Sequence, residues 1–258
     1  EGAEHLAKLV ARAPRLQSLT LTSSRVGAAG GRAVLQALLQ GQALRRLSLH
    51  DNPLTGEVAE ALAEVLRRHP ELRVLDFADT ALGDEGVAAL CAALQQGSSP
   101  QLEELCLDLN EITAEGARAI ALALPQLPGL KKLSLRENEL EDEGALLLAR
   151  GVAALSSLAT LDASCNQLSK KGAVALAQAL GRCKDLELFA VDDNAISERG
   201  LETLQDTMRA FGKLEALGSL EENMADEDDE SEEEGEGDAL DAGVEAALAA
   251  GLDRMRVQ

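Results

Sequence analysis

The pattern LxxLxLxxNxL recurs seven times along the chain, beginning at Leu16, Leu44, Leu72, Leu102, Leu130, Leu158 and Leu186. The steps between copies are 28, 28, 30, 28, 28 and 28 residues. No other feature constrains the fold as strongly, because a fixed period of this length requires one local structure to be built repeatedly. Asn stands at Asn52, Asn110, Asn138, Asn166 and Asn194, with Ser24 and Thr80 in the other two copies. Gly follows six residues later, at Gly30, Gly86, Gly116, Gly144, Gly172 and Gly200, with Val58 the exception. The single 30-residue step carries its extra residues in the loop Gly97-Ser98-Ser99-Pro100.

Each part of the pattern predicts a structure. Leu16, Leu19 and Leu21, with their equivalents, alternate as a short strand that turns its Leu side chains inward. The Asn side chain carries both a donor and an acceptor, so it can bond backbone groups where the chain leaves the strand and form a ladder between repeats. After each Gly, Ala and Leu recur at helical spacing, as in GARAIALALP and GAVALAQALG. That spacing predicts a helix of about 11 residues opened by the Gly. One such unit buries too little apolar surface to offset the entropy of ordering its backbone, so neighbours must cover each other's flanks. The predicted fold class is therefore an α/β solenoid with parallel strands on the concave side and helices on the convex side. The repeat domain is expected over residues 1–220, with Gly2–Pro14 as the helical half of a further, partial repeat.

Composition agrees with a layered core. Hydrophobic residues make up 46% of the 258, but aromatics only 1%, so similar small aliphatics must meet in regular layers. The formal net charge is −21, from 45 acids against 24 bases. Nucleic acid and anionic membranes are repelled by such a chain, and a basic protein surface is its natural complement. The four cysteines, at 91, 106, 165 and 183, form no CxxC pair and there are three His, so no zinc spacing and no cofactor are expected. Reduced thiols suit a cytoplasmic setting. No apolar run reaches the roughly 20 residues that a membrane helix needs. The first residue is Glu1 rather than Met, which reads as a fragment or a processed product. Residues 221–238 hold 12 acids and no base, and such a block is expected to be a disordered acidic tail around Ser231. Over 239–258, Leu240, Val244, Leu248, Leu252 and Met255 mark a helical stripe.

The candidate binding residues come from the variable strand positions, which a solenoid turns toward its concave face. Eight of them are acidic, Asp51, Asp76, Asp79, Asp108, Glu137, Asp162, Asp192 and Asp193, and Arg136 is the one base among them. Strands about 5 Å apart lie within a Debye length of about 8 Å, so these carboxylates act as one negative field. Bases are not scarce elsewhere: Arg32, Arg67, Arg68, Arg118, Arg150, Lys170, Lys171 and Arg182 fall on the predicted helices. Catalytic patterns are absent. The glycines of GAAGG lack the Lys-Ser/Thr of a phosphate loop. His50 beside Asp51 reads as a solvent-facing residue, and neither Cys106 nor Cys165 has a flanking His to act as a base.

The repeats resemble leucine-rich repeats of the ribonuclease-inhibitor type. More sharply, LRENELEDEG (135–144), NEITAEGARAIA (110–121), DNAISERGLETL (193–204) and KKGAVALAQAL (170–180), with the acidic segment behind them, resemble the last repeats of Ran GTPase-activating proteins of the plant and green-algal branch. The resemblance implies a regulator, not an enzyme with its own catalytic site. It would bind Ran in its GTP form, order Ran's own catalytic Gln, and so serve nucleocytoplasmic transport, with the nucleotide and Mg²⁺ belonging to Ran. It also implies a perinuclear or nuclear-envelope location within the cytoplasm. The essential Arg and the functional Asn of that family lie in repeats earlier than those matched, so no catalytic residue is carried over. The alternative reading is a non-catalytic scaffold for another basic protein.

Overall fold

The computed structural model describes residues 2–224. Most of the acidic segment 221–238, and all of 239–258, lie outside the described residues.

Seven three-residue strands form one parallel sheet in chain order: β1 (Ser18–Thr20), β2 (Arg46–Ser48), β3 (Val74–Asp76), β4 (Glu104–Cys106), β5 (Lys132–Ser134), β6 (Thr160–Asp162) and β7 (Leu188–Ala190). The register is the repeat itself, Leu19 against Leu47 against Leu75 and on to Phe189. Backbone hydrogen bonding continues beyond each strand: Leu107 N donates to Ser134 O at 2.9 Å and Leu109 N to Arg136 O at 3.0 Å. Between the strands run α2 (Ala28–Leu38), α3 (Ala59–Arg68), α4 (Gly83–Gln95), α5 (Ala114–Ala123), α6 (Glu141–Val152) and α7 (Lys170–Leu180), with α1 (Gly2–Val10) before β1 and α8 (Glu198–Ala210) after β7. Strands pack about 5 Å apart and helices about 8–10 Å apart, so a stack joining the two must curve with its strands inside.

The Leu of each strand, together with the inner Ala and Leu of each helix, make one continuous core, from Val10 and Leu19 to Phe189 and Met208. Its polar frame is the Asn ladder. Asn138 Oδ1 accepts from Asn110 N and Ile112 N, both at 3.0 Å, while its Nδ2 donates to Leu107 O at 3.1 Å and Leu135 O at 2.9 Å. Asn52, Asn110, Asn166 and Asn194 bond backbone groups of the preceding repeat in the same manner. Each buried amide thus satisfies backbone groups of two repeats at once, which fixes the stacking register.

The repeat Gly does not open the helix as expected. Each regular helix begins two or three residues earlier, and Gly sits within its first turn. The reason is contact with the repeat before it. A Cβ at Gly116 would stand 2.4 Å from Asp84 Oδ1, one at Gly172 2.5 Å from Asp142 Oδ1, and one at Gly30 2.7 Å from the Ala3 Cβ. Asp84 and Asp142 occupy matching sites two repeats apart and cap the next helix: Asp142 Oδ1 accepts from Ser169 N and Gly172 N, both at 2.9 Å. In the copy that carries Val58, a 3-10 turn (Gly56–Val58) precedes α3, and a Cβ at Gly56 would stand 3.2 Å from Leu82 O of the following repeat.

A second ladder runs beneath the helix ends. His69, Ser99 and Cys183 each stand three residues before a repeat's first Leu, and each bonds a backbone carbonyl in the repeat before it: Leu38 at 3.1 Å, Leu66 at 3.3 Å and Leu155 at 3.2 Å. At the far end, Leu217 bridges Phe189 in parallel, and Asn223 Oδ1 accepts from Asn194 N at 3.1 Å. The ladder therefore has one more rung than the seven-copy pattern, and its hydrogen bonds reach Met224 N.

Candidate functional site

With helices on one side, the sheet leaves its other face open, and the nine expected residues lie at or just beyond the ends of its strands. The eight acids divide into two groups with different chemistry, and Arg136 shares the repeat position of Asp108. In the first group, which spans two register positions, Asp76, Asp108, Asp162 and Asp192 each use carboxylate oxygens on backbone of their own or the following repeat. Asp76 Oδ1 accepts from Ala78 N at 3.2 Å, Asp108 Oδ1 from Arg136 N at 2.9 Å, Asp162 Oδ1 from Ser164 N at 3.0 Å and Asp192 Oδ1 from Glu222 N at 2.9 Å. Asp76 also takes the Ser48 hydroxyl at 2.8 Å. These four are half-buried and help to build the turn that leaves the strand. Burial raises the pKa of Asp108 above the ordinary carboxylate value, opposed by hydrogen bonds from Ser134 and Arg136 and reinforced by the charge of Asp162.

The second group falls in the row Ser23, Asp51, Asp79, Leu109, Glu137, Cys165 and Asp193. All seven adopt left-handed backbone, with φ between 51° and 56°. Asp suits that region because its short side chain can bond locally, which accounts for part of the acidity of this row. Asp51, Asp79, Glu137 and Asp193 are exposed, and so is Leu109. Arg136 is turned onto its neighbour, with Nε 3.0 Å from Glu137 Oε1. His50 Nδ1 approaches Asp76 Oδ1 at 3.8 Å, across to the next strand and not to the adjacent Asp51.

The start of each strand carries residues that the sequence reading passed over. Arg46, Glu104 and Lys132 open their strands on the same face, so bases are present there after all. Lys132 lies close enough to act electrostatically on both Cys106 and Asp108. One residue earlier, charges pair from repeat to repeat: Glu103 bonds Arg73 on one side and Lys131, at 2.8 Å, on the other. Those hydrogen bonds hold the Glu103 carboxyl below its ordinary pKa. Arg45 likewise meets Glu71 at 3.0 Å. The signal was visible as charge alternation 28 and 30 residues apart, but only strand pairing shows which partners meet. The face is thus divided: at the strand-start rim Arg45, Arg73 and Lys131 are tied to acids and Arg46 and Lys132 add exposed bases, whereas the strand-end rim keeps acids that face solvent.

No group of three or more His, Cys, Asp or Glu among the described residues could hold a metal ion. The four cysteines are free thiols. Burial pushes the thiols of Cys91 and Cys106 up to about 12. Cys165 is also at about 12, through burial and its hydrogen bond to Asp193. None is a thiolate nucleophile near neutral pH. No described helix is long and apolar enough to cross a membrane.

Comparison with known proteins agrees with this geometry. The family pattern described as "Leucine Rich repeat" matches residues 69–91, 98–121, 128–149 and 154–177. Pig ribonuclease inhibitor (Sus scrofa) is 34% identical over 105 residues, covering 40% of this chain and 23% of that protein. These are leucine-rich repeats of ribonuclease-inhibitor type. Bovine NACHT, LRR and PYD domains-containing protein 5 (Bos taurus) is 51% identical over 53 residues, 20% of this chain and 5% of that protein. Human leucine-rich repeat-containing protein 73 (Homo sapiens) is 37% identical over 83 residues, 31% of this chain and 26% of that protein. The chain thus spans about a quarter or less of each of these relatives. Among solved structures, internalin C2 of Listeria monocytogenes aligns over 78% of this chain and 79% of its own, with a TM-score of 0.51 and 23% identity, a likeness of fold.

Proposed function

We propose that this leucine-rich repeat solenoid is a protein-docking module that holds the basic surface of a partner against the strand-end rim of its concave face. The observation that carries this reading is the row of exposed carboxylates at Asp51, Asp79, Glu137 and Asp193, backed by Asp76, Asp108, Asp162 and Asp192. Hydrogen bonds to backbone orient the second set without removing its charge, so a basic partner meets one negative field. A relative named for inhibiting ribonuclease, itself a binding function, supports a protein partner.

The partner we infer is Ran in its GTP form, and the activity is acceleration of Ran's GTP hydrolysis in the perinuclear cytoplasm. The order of repeats and the acidic segment behind them support this assignment. In that reading the solenoid supplies no reacting group, and the hydrolytic residues, the nucleotide and Mg²⁺ are Ran's. The deciding measurement is single-turnover GTP hydrolysis by Ran with a longer version of the chain that carries the family's Arg-bearing repeat, beside salt-dependent binding of Ran-GTP to this chain. Because that Arg is not among the matched repeats, this chain alone is expected to bind Ran weakly and to accelerate hydrolysis little. No acceleration by the longer version, with no complex formed, removes Ran as the partner. The second reading, a scaffold for a different basic protein, is tested by titrating a basic pancreatic ribonuclease, which the ribonuclease-inhibitor relative makes the natural probe.

A further inference from the structure

One member of the strand-end row departs from the others. Leu109, three residues past the central strand of the seven, is 42% exposed, while the rest of the row is polar or a thiol. Its φ of 55° is left-handed, and Leu has no polar side chain to offset that conformation with a local hydrogen bond. It belongs to neither hydrophobic cluster of the fold. A single exposed Leu is ordinary on a protein surface. This one is set apart by its flanks: Asp79 and Glu137 hold the same position on the two adjoining repeats, roughly 5 Å to either side, and Asp108 precedes it.

We propose that the docking surface centres on Leu109, and that it takes a protein segment in which an apolar side chain is flanked by Lys or Arg along the strand-end row. This rests on the concave face being the binding face and adds what that face selects. A purely basic segment would leave Leu109 against charged groups, and a purely apolar one would desolvate Asp79 without a partner and Glu137 with Arg136 alone. Only the alternation of both satisfies the row, and such a demand is a source of specificity. The opposite rim does not favour such a segment, because Arg73 and Lys131 already hold Glu103 and the exposed Arg46 and Lys132 repel further bases.

The test is a titration of the nitrogen-15-labelled full chain with two synthetic twelve-residue peptides, one centred on Lys-Arg-Leu-Lys-Arg and the other on Lys-Arg-Ser-Lys-Arg. The Leu peptide is expected to bind about tenfold more tightly, the scale of burying one Leu side chain, and to shift the amides of Asp79, Leu109 and Glu137. Leu109→Asn, a residue suited to left-handed backbone, keeps the fold and should abolish the tenfold difference. Equal affinity for the two peptides, no binding at millimolar peptide, or shifts centred on Arg73 and Lys131 would each overturn the proposal. A chain that discriminates the peptides but forms no complex with Ran-GTP loses the Ran assignment and keeps the Leu109 anchor.

Discussion

Asp84 Oδ1 accepts the backbone N–H of Gly116 at 3.0 Å, across the boundary between two repeats. A methyl group at Gly116 would stand 2.4 Å from that same oxygen. The carboxylate and the missing side chain are therefore one device: it caps α5 with an acid from α4 and sets how closely the two helices lie. Gly116→Ala should displace Asp84 and destabilise the chain by about 1–3 kcal/mol, in the range of overpacking. Asp84→Ala removes the clash along with the cap, so the double variant should lose less than the sum of the two single losses. Urea denaturation of the four proteins measures that coupling, and strict additivity would show that the two sites are independent.

His69 makes stability depend on pH. The Leu44 N–H is donated to its Nδ1 at 3.2 Å, so that nitrogen is unprotonated, and Nε2 faces the Leu38 carbonyl at 3.1 Å. Burial, aided by the charge of Arg68, lowers its pKa below 6.5, outweighing the backbone bonds to Leu38 and Gln42 that favour the protonated ring. The folded chain therefore resists a proton that the unfolded chain accepts. The neutral ring's contribution is complete above pH 6.5 and is lost as pH falls through that value, by up to about 1.4 kcal/mol per pH unit. The raised pKa of Asp108 acts in the opposite sense, so comparison with His69→Gln isolates the histidine's share. Denaturation midpoints at pH 7.5 and 5.5 should separate for the native chain and lie closer together for His69→Gln.

Removing one rung of the Asn ladder should cost more than removing a typical surface hydrogen bond. Asn138→Ala leaves Asn110 N and Ile112 N without their acceptor in the core. At about 1–3 kcal/mol for each stranded buried group, a loss of about 3–5 kcal/mol is expected. Ser24, exposed and bonded only to Thr22 O, stands in the same repeat position. Ser24→Ala should be close to neutral, and comparison of the two melting curves checks the contrast.

Charge reversal at Asp51, Asp79 and Asp193 should weaken a basic partner at least tenfold and flatten the salt dependence of binding, with a small stability cost from the left-handed backbone that Asn substitutions at the same positions would avoid. These three are chosen because their exposed carboxylates hold no backbone group. The same change at Asp76 or Asp108 would also break the hydrogen bonds to Ala78 N and Arg136 N. Affinity measured at two salt concentrations tests the prediction, and unchanged binding would place the interface on another surface.

The repeat by itself determined the number of strands, their parallel order and register, the identity of the core Leu and the rungs of the Asn ladder. Each of these follows from a local pattern carried forward at a constant period. The eighth rung was legible in principle, since Leu214, Leu217, Leu220 and Asn223 are spaced three apart, but one inserted residue puts them out of phase with the seven copies. What only the tertiary structure decided depends on side chains that touch across repeats. It shows that Gly116 and Gly172 make room for a neighbour's carboxylate, and that Arg73, Glu103 and Lys131 pair along one rim. It also shows that four of the eight acids hold backbone, Asp76 and Asp162 in their own repeat and Asp108 and Asp192 in the next, and that Leu109 stands exposed among those that do not. Lateral stacking brings together residues about 28 positions apart, and whether such residues attract, cap or collide depends on distances of a few ångströms that a one-dimensional pattern does not contain.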